Sequence, residues 1–107
     1  MRSQTFCKSM IFRMKVYNMG NETLVAVCDS DIVGQKFEEE DLQIEIKENF
    51  YGEQEVEEEE VKKALQKATI ANLSGKKAVK MAINHGIVEE SNVLDIGGCW
   101  HAQMTIL

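Results

Sequence analysis

The chain has 107 residues, 44% hydrophobic and 28% charged, with a net charge of −6. These values exclude a disordered chain, a collagen or a coiled coil, and they fit one domain that buries roughly two thirds of its unfolded surface around a core. The longest early apolar stretch, around Met10 to Met14, is cut by Arg13 and Lys15. It is therefore neither a secretory core nor a membrane span, and a cytoplasmic location without membrane partners is expected. Cys7, Cys28 and Cys99 form an odd set without CxxC spacing, the usage of a reducing compartment, so three free thiols are expected. The total charge hides a division. Residues 1–21 carry Arg2, Lys8, Arg13 and Lys15 and no acid, whereas residues 22–60 carry fifteen acids against Lys36 and Lys47. Residues 61–85 carry six lysines and again no acid. Solvated faces of opposite sign produce such a layout, and so does a basic face that binds phosphates locally.

In chain order, residues 1–9 read as an N-terminal extension and 10–107 as a single globular domain. Phe12, Met14 and Val16 alternate with charged or aromatic neighbours, and Thr23–Asp29 is rich in β-formers, so a hairpin across Gly20 is predicted. Residues 29–34 read as one capped turn closed by Gly34, and Leu42, Ile44 and Ile46 alternate as a third strand near 41–48. Four glutamates at 57–60 open a segment with Val61, Ala64, Leu65, Ala68 and Ala71 at helical spacing, which predicts a helix near 57–72. Ser74 and Gly75 break it, and a second helix runs near 76–85 to Gly86. Residues 93–96 and 104–107 resume β structure. The fold class expected is α+β: an antiparallel sheet that starts with a β-hairpin and carries two helices packed on one face. Leu24 or Val25, Val27, Ile44, Ile46, Leu65, Val79 and Ile83 are the expected core.

Four blocks in order, residues 16–29, 49–52, 67–75 (KATIANLSG) and 97–103 (GGCWHAQ), resemble a small archaeal family of uncharacterised proteins, a domain of unknown function of about this length. The resemblance covers Met10 to Gln103 and implies an archaeal, cytoplasmic protein with no activity to carry over. In that family a proline more often precedes the histidine of the last block, and the position of Ser74 is more often apolar.

In a strand, Cys99 and His101 share a face, the placement that two zinc ligands or a thiolate–imidazole pair require. A metal needs at least one further ligand, and neither Cys28 nor His85 stands at motif spacing. The other reading is a glycine-permitted bend followed by a strand in which Trp100 anchors the end of the core. Asp29 and Asp31 fit a magnesium ion or, more simply, the cap of a turn. Leu73–Val79 has no P-loop spacing, and Ser74 reads as an ordinary N-cap.

Two functional classes remain. The first is a non-catalytic interaction module that binds RNA, a ribonucleoprotein or another protein through a basic patch. Arg13, Lys15, Lys76, Lys77 and Lys80 would form it if their segments share a face, with Ser74 and Gly75 at the helix start and His101 and Gln103 as neighbours. The second is a small metalloprotein or thiol enzyme built on Cys99 and His101. The first reading needs no cofactor and no catalytic residue, and the sequence identifies no small-molecule ligand.

Overall fold

The computed structural model describes residues 11–106; the expected extension 1–9, with Cys7, and the final Leu107 lie outside them. The strands are β1 (Phe12–Met19), β2 (Glu22–Asp29), β3 (Lys36–Glu39), β4 (Leu42–Glu45), β5 (Glu55–Val56), β6 (Ile70–Ser74), β7 (Leu94–Ile96) and β8 (Cys99–Thr105). The helices are α1 (Glu48–Tyr51), α2 (Glu58–Gln66) and α3 (Lys76–Asn84), with a 3-10 turn at Ser30–Ile32. Six strands form one sheet in the order β5-β1-β2-β6-β8-β7, and β3-β4 is a separate ribbon.

The class is α+β, and its helices α2 and α3 pack on one face as the patterning requires. Val61 and Leu65 of α2 and Val79 and Ala82 of α3 meet Phe12, Val25, Val27, Leu73 and Ala102 of the sheet. The α3 C-terminus closes as a Schellman motif, with the Ile87 N–H donating to Ala82 O and the Gly86 N–H to Ile83 O. On the other face Ala26, Cys28 and Cys99 form a second, smaller core with Ile46 and Tyr51. Of the expected core, Val25, Val27, Ile46, Leu65 and Val79 are buried, whereas Leu24, Ile44 and Ile83 only pack against the two clusters.

Three expectations are corrected. The helix near 57–72 ends at Gln66, and Ile70–Ser74 is the central strand β6. Ala68 and Ala71 match helical spacing, but both faces of β6 are covered, so it lacks the alternation that marks a half-solvated strand. The sheet is not wholly antiparallel, because β2 and β6 run parallel, joined by a long connection that holds α1 and α2. The strand near 41–48 does not join the main sheet; Leu42–Glu45 pairs only with Lys36–Glu39. That ribbon is tied to the sheet where the Gly97 N–H donates to Glu39 Oε1 at 3.0 Å. Gly97 and Gly98 form the two-residue turn between β7 and β8 with φ of 59° and 95°, the type I′ geometry in which both central residues need positive φ. A Cβ on Gly97 would stand 2.5 Å from Glu38 O.

Candidate functional site

Strand alternation sorts the candidate residues onto two faces. Ser74 pairs with His101 and Asn72 with Gln103 across β6 and β8, so these four side chains share the face that α1 covers. Tyr51 of α1 reaches down to them. Its hydroxyl donates to Asn72 Oδ1 at 3.0 Å and lies 2.8 Å from Ser74 Oγ. Ser74 Oγ is 2.9 Å from His101 Nδ1, and Gln103 Nε2 is 3.4 Å from His101 Nε2.

Proton counting gives this network a direction. The Gln103 amide nitrogen only donates, so His101 Nε2 accepts and Nδ1 carries the proton. Nδ1–H donates to Ser74, Ser74 O–H donates to Tyr51, and Tyr51 O–H donates to Asn72. Each hydroxyl gives one proton and receives one. Burial lowers the His101 pKa, which keeps the imidazole neutral, and a second ring proton would face the amide donor of Gln103. Burial likewise pushes the Tyr51 phenol up to about 12. Ser74 is fully buried, so its hydroxyl is an internal link with no access to a substrate. Sequence reasoning picked Ser74, His101 and Gln103 but missed Tyr51 and Asn72. An aromatic residue in a short helix after an acidic hairpin carries no pattern that points to a strand 21 residues later.

Cys99 shares the face of His101, as expected in a strand, but the two ring nitrogens of His101 are already engaged. The Cys99 thiol is buried, directs its proton to Trp100 O at 3.7 Å, and is raised in pKa by that burial. Among the described residues no group of three or more His, Cys, Asp or Glu is placed to hold a metal ion.

Ser74 does not cap α3, because β6 turns its side chain to the opposite face. Asp29 does so from β2: its carboxylate accepts the Lys77 N–H at 3.0 Å and the Ala78 N–H at 2.7 Å. Burial raises the Asp29 pKa while these two amides pull it back. Gly75 makes the contact possible. It has φ of 106°, and a Cβ there would stand 2.4 Å from Asp29 Cγ. Asp31, the other half of the carboxylate pair, turns outward to Lys77 Nζ at 3.5 Å.

The lysines of α3 gather beside Trp100, which lies half-buried on the helix face. Lys76 Nζ stands 5.3 Å and Lys80 Nζ 5.7 Å from the indole centroid. Arg13 and Lys15 are elsewhere, so the expected joint patch does not form. They pair with Cys28 and Ala26 on the α1 face of the sheet. There Arg13 donates to Glu48 at 3.2 Å and Gly52 O at 3.1 Å, and Lys15 to Asn49 O at 3.0 Å. Those two cations serve to hold α1 against β1.

At the shared end of β2 and β6 a groove of about 310 Å³ opens between the two faces. Its lining comprises Lys76, Lys77 and Lys80 of α3, the apolar Ile32 and Phe37, the carboxylates of Asp29 and Asp31, and Gly75, Gly98 and Cys99. Ligand sites of α/β sheets lie at this position, outside the carboxyl ends of parallel strands.

No helix among the described residues is long and apolar enough to cross a membrane. No curated protein matches the chain. The crystal structure of an uncharacterized conserved protein from the archaeon Methanopyrus kandleri is similar, with a TM-score of 0.74 and 24% identity over 90% of this chain and 91% of that one. At that identity the likeness carries the fold alone. The model of the family described as Protein of unknown function (DUF424) matches residues 17–107, and the chain belongs to that family.

Proposed function

We propose that this protein is a non-catalytic interaction module that binds RNA or a ribonucleoprotein through the edge formed by Lys76, Lys77 and Lys80. The observation that carries this reading is the gathering of the Lys76 and Lys80 ammonium groups over the Trp100 indole; the same two lysines also line the groove. Cations beside an aromatic surface suit a polyanion whose bases have π-faces. Lys77 adds a third charge, partly balanced by Asp31. The acidic remainder of a −6 chain repels bulk polyanion, so recognition is local and salt-sensitive. A cytoplasmic location fits this role.

The interior supports the non-catalytic half of the reading. Ser74 is sealed, Cys99 is a buried thiol raised in pKa, and the His101 nitrogens are both occupied. Purification after gentle lysis tests it. The wild type is expected to carry RNA that Lys76→Glu/Lys77→Glu loses. Equal recovery by the two proteins, or no RNA with the wild type at low salt, refutes the reading. Stoichiometric zinc in the same preparation, lost in Cys99→Ser, would establish the metalloprotein reading in its place.

A further inference from the structure

The groove is more than a set of cations. A duplex presents its phosphates on a convex surface and keeps its bases stacked, so lysines on an open helix face suffice to bind it. The recess at the end of β2 and β6, of about 310 Å³, is lined by Lys76, Lys77 and Lys80 together with Ile32 and Phe37; the two carboxylates that also line it are engaged, Asp29 by the α3 amides and Asp31 by Lys77. Recesses that take small ligands begin at roughly 300 Å³. A lining that joins cations to an apolar wall of Ile32 and Phe37 matches a molecule with an anionic and a flat apolar end.

From this we infer that the groove receives one unpaired nucleotide of an RNA chain. Its base lies against Phe37 and Ile32, and its phosphate faces Lys76 and Lys80. The inference rests on the RNA-binding reading above and narrows it to single-stranded RNA. The α3 amides play no part, since Asp29 already occupies those of Lys77 and Ala78. Nor is the aromatic wall a rigid extension of the core: Phe37 is half-buried, packed on the second core and exposed on its remaining side.

The experiment is fluorescence anisotropy at low salt with one labelled RNA strand, free and annealed to its complement. The wild type is expected to bind the free strand more tightly than the duplex. Phe37→Leu keeps an apolar side chain against the second core and removes the ring; it should lose about tenfold on the free strand with its salt dependence unchanged. Lys76→Gln should instead lower the salt slope by roughly 0.7. Circular dichroism of Phe37→Leu establishes that it is folded, and Ile32→Ala probes the same wall from a second position, with a smaller loss expected. Duplex binding equal to single-strand binding, or both wall variants binding like the wild type, overturns this inference and leaves lysine-dependent RNA binding standing. No binding to either RNA overturns both readings. Competition by oligoglutamate as effective as that by the RNA strand would assign the groove to an acidic protein segment and overturn the inference as well.

Discussion

Replacing Gly75 by alanine tests how the lysine-bearing helix is held to the sheet. Gly75 has φ of 106° and ψ of 148°, a region essentially restricted to glycine, where another residue costs of order 1–3 kcal/mol. The new Cβ would also stand 2.4 Å from Asp29 Cγ, so the carboxylate must leave the two amides it caps at 3.0 and 2.7 Å. Loss of a cap costs about 1–2 kcal/mol. The sum, about 2–5 kcal/mol, is a large share of the stability of a small domain. Asp29→Ala alone removes the cap without the backbone strain and is expected to cost about 2 kcal/mol, the buried Ala78 amide included. In the double variant the cap is lost only once and the clash is gone. Its cost should therefore fall short of the summed single costs by about 1–2 kcal/mol, a coupling that a double-mutant cycle resolves. Urea unfolding followed by fluorescence of Trp100, the only tryptophan, reads all three variants. A Gly75→Ala protein within 1 kcal/mol of wild type, or strict additivity, refutes the proposed geometry.

Tyr51→Phe removes the hydroxyl between Asn72 and Ser74 and is expected to cost about 1–3 kcal/mol, read by the same unfolding assay. Burial holds the His101 pKa below its ordinary 6.5, so below that pH the unfolded chain binds the proton more readily than the folded one. Stability should fall as the pH drops through the window beneath 6.5, and His101→Gln should flatten that dependence in unfolding curves taken across it. Trp100 packs against the main core, half-buried, so Trp100→Ala should cost about 2 kcal/mol, less than a sealed tryptophan, in urea unfolding followed by circular dichroism. Burial pushes the Cys28 thiol up to about 12, and Cys28 and Cys99 are both buried. Site-resolved mass spectrometry should find both unreactive to a thiol reagent near neutral pH until the chain is unfolded.

The parts legible in the sequence are those whose burial is one-sided and local. β1 shows its period of two, and α3 shows Ala78, Val79 and Ala82 on one stripe between Gly75 and Gly86; β2, covered on both faces, is legible only through its run of β-formers behind the Gly20 turn. β6 was illegible because it is covered on both faces, and Ala68 and Ala71 happened to extend the helical spacing of α2. β3 was illegible because a four-residue, mostly charged strand carries one apolar side chain and no alternation to read. Charge counting marked the acid-free segments but could not assign faces. Arg13 and the α3 lysines look alike as acid-free segments, and only the pairing of Arg13 with Cys28 puts it across the sheet. The Asp29 cap spans 48 residues, and the Tyr51 network joins three separate elements; neither leaves a mark in any one stretch of chain. Serine before a glycine at a helix start suggests an N-cap for good local reasons, and tertiary placement overrode it.

Salt dependence of RNA affinity tests the central claim most directly, because it counts the phosphates neutralised. Three lysines on a single strand give a slope of about −2 in log affinity against log salt. The wild type is expected to show it, and Lys15→Gln, altered on the opposite face, should keep it. Replacing Lys76, Lys77 and Lys80 together by glutamine should bring the slope near zero. A triple variant that retains the wild-type slope, or a Lys15→Gln protein that loses it, would contradict the assignment of binding to the α3 edge.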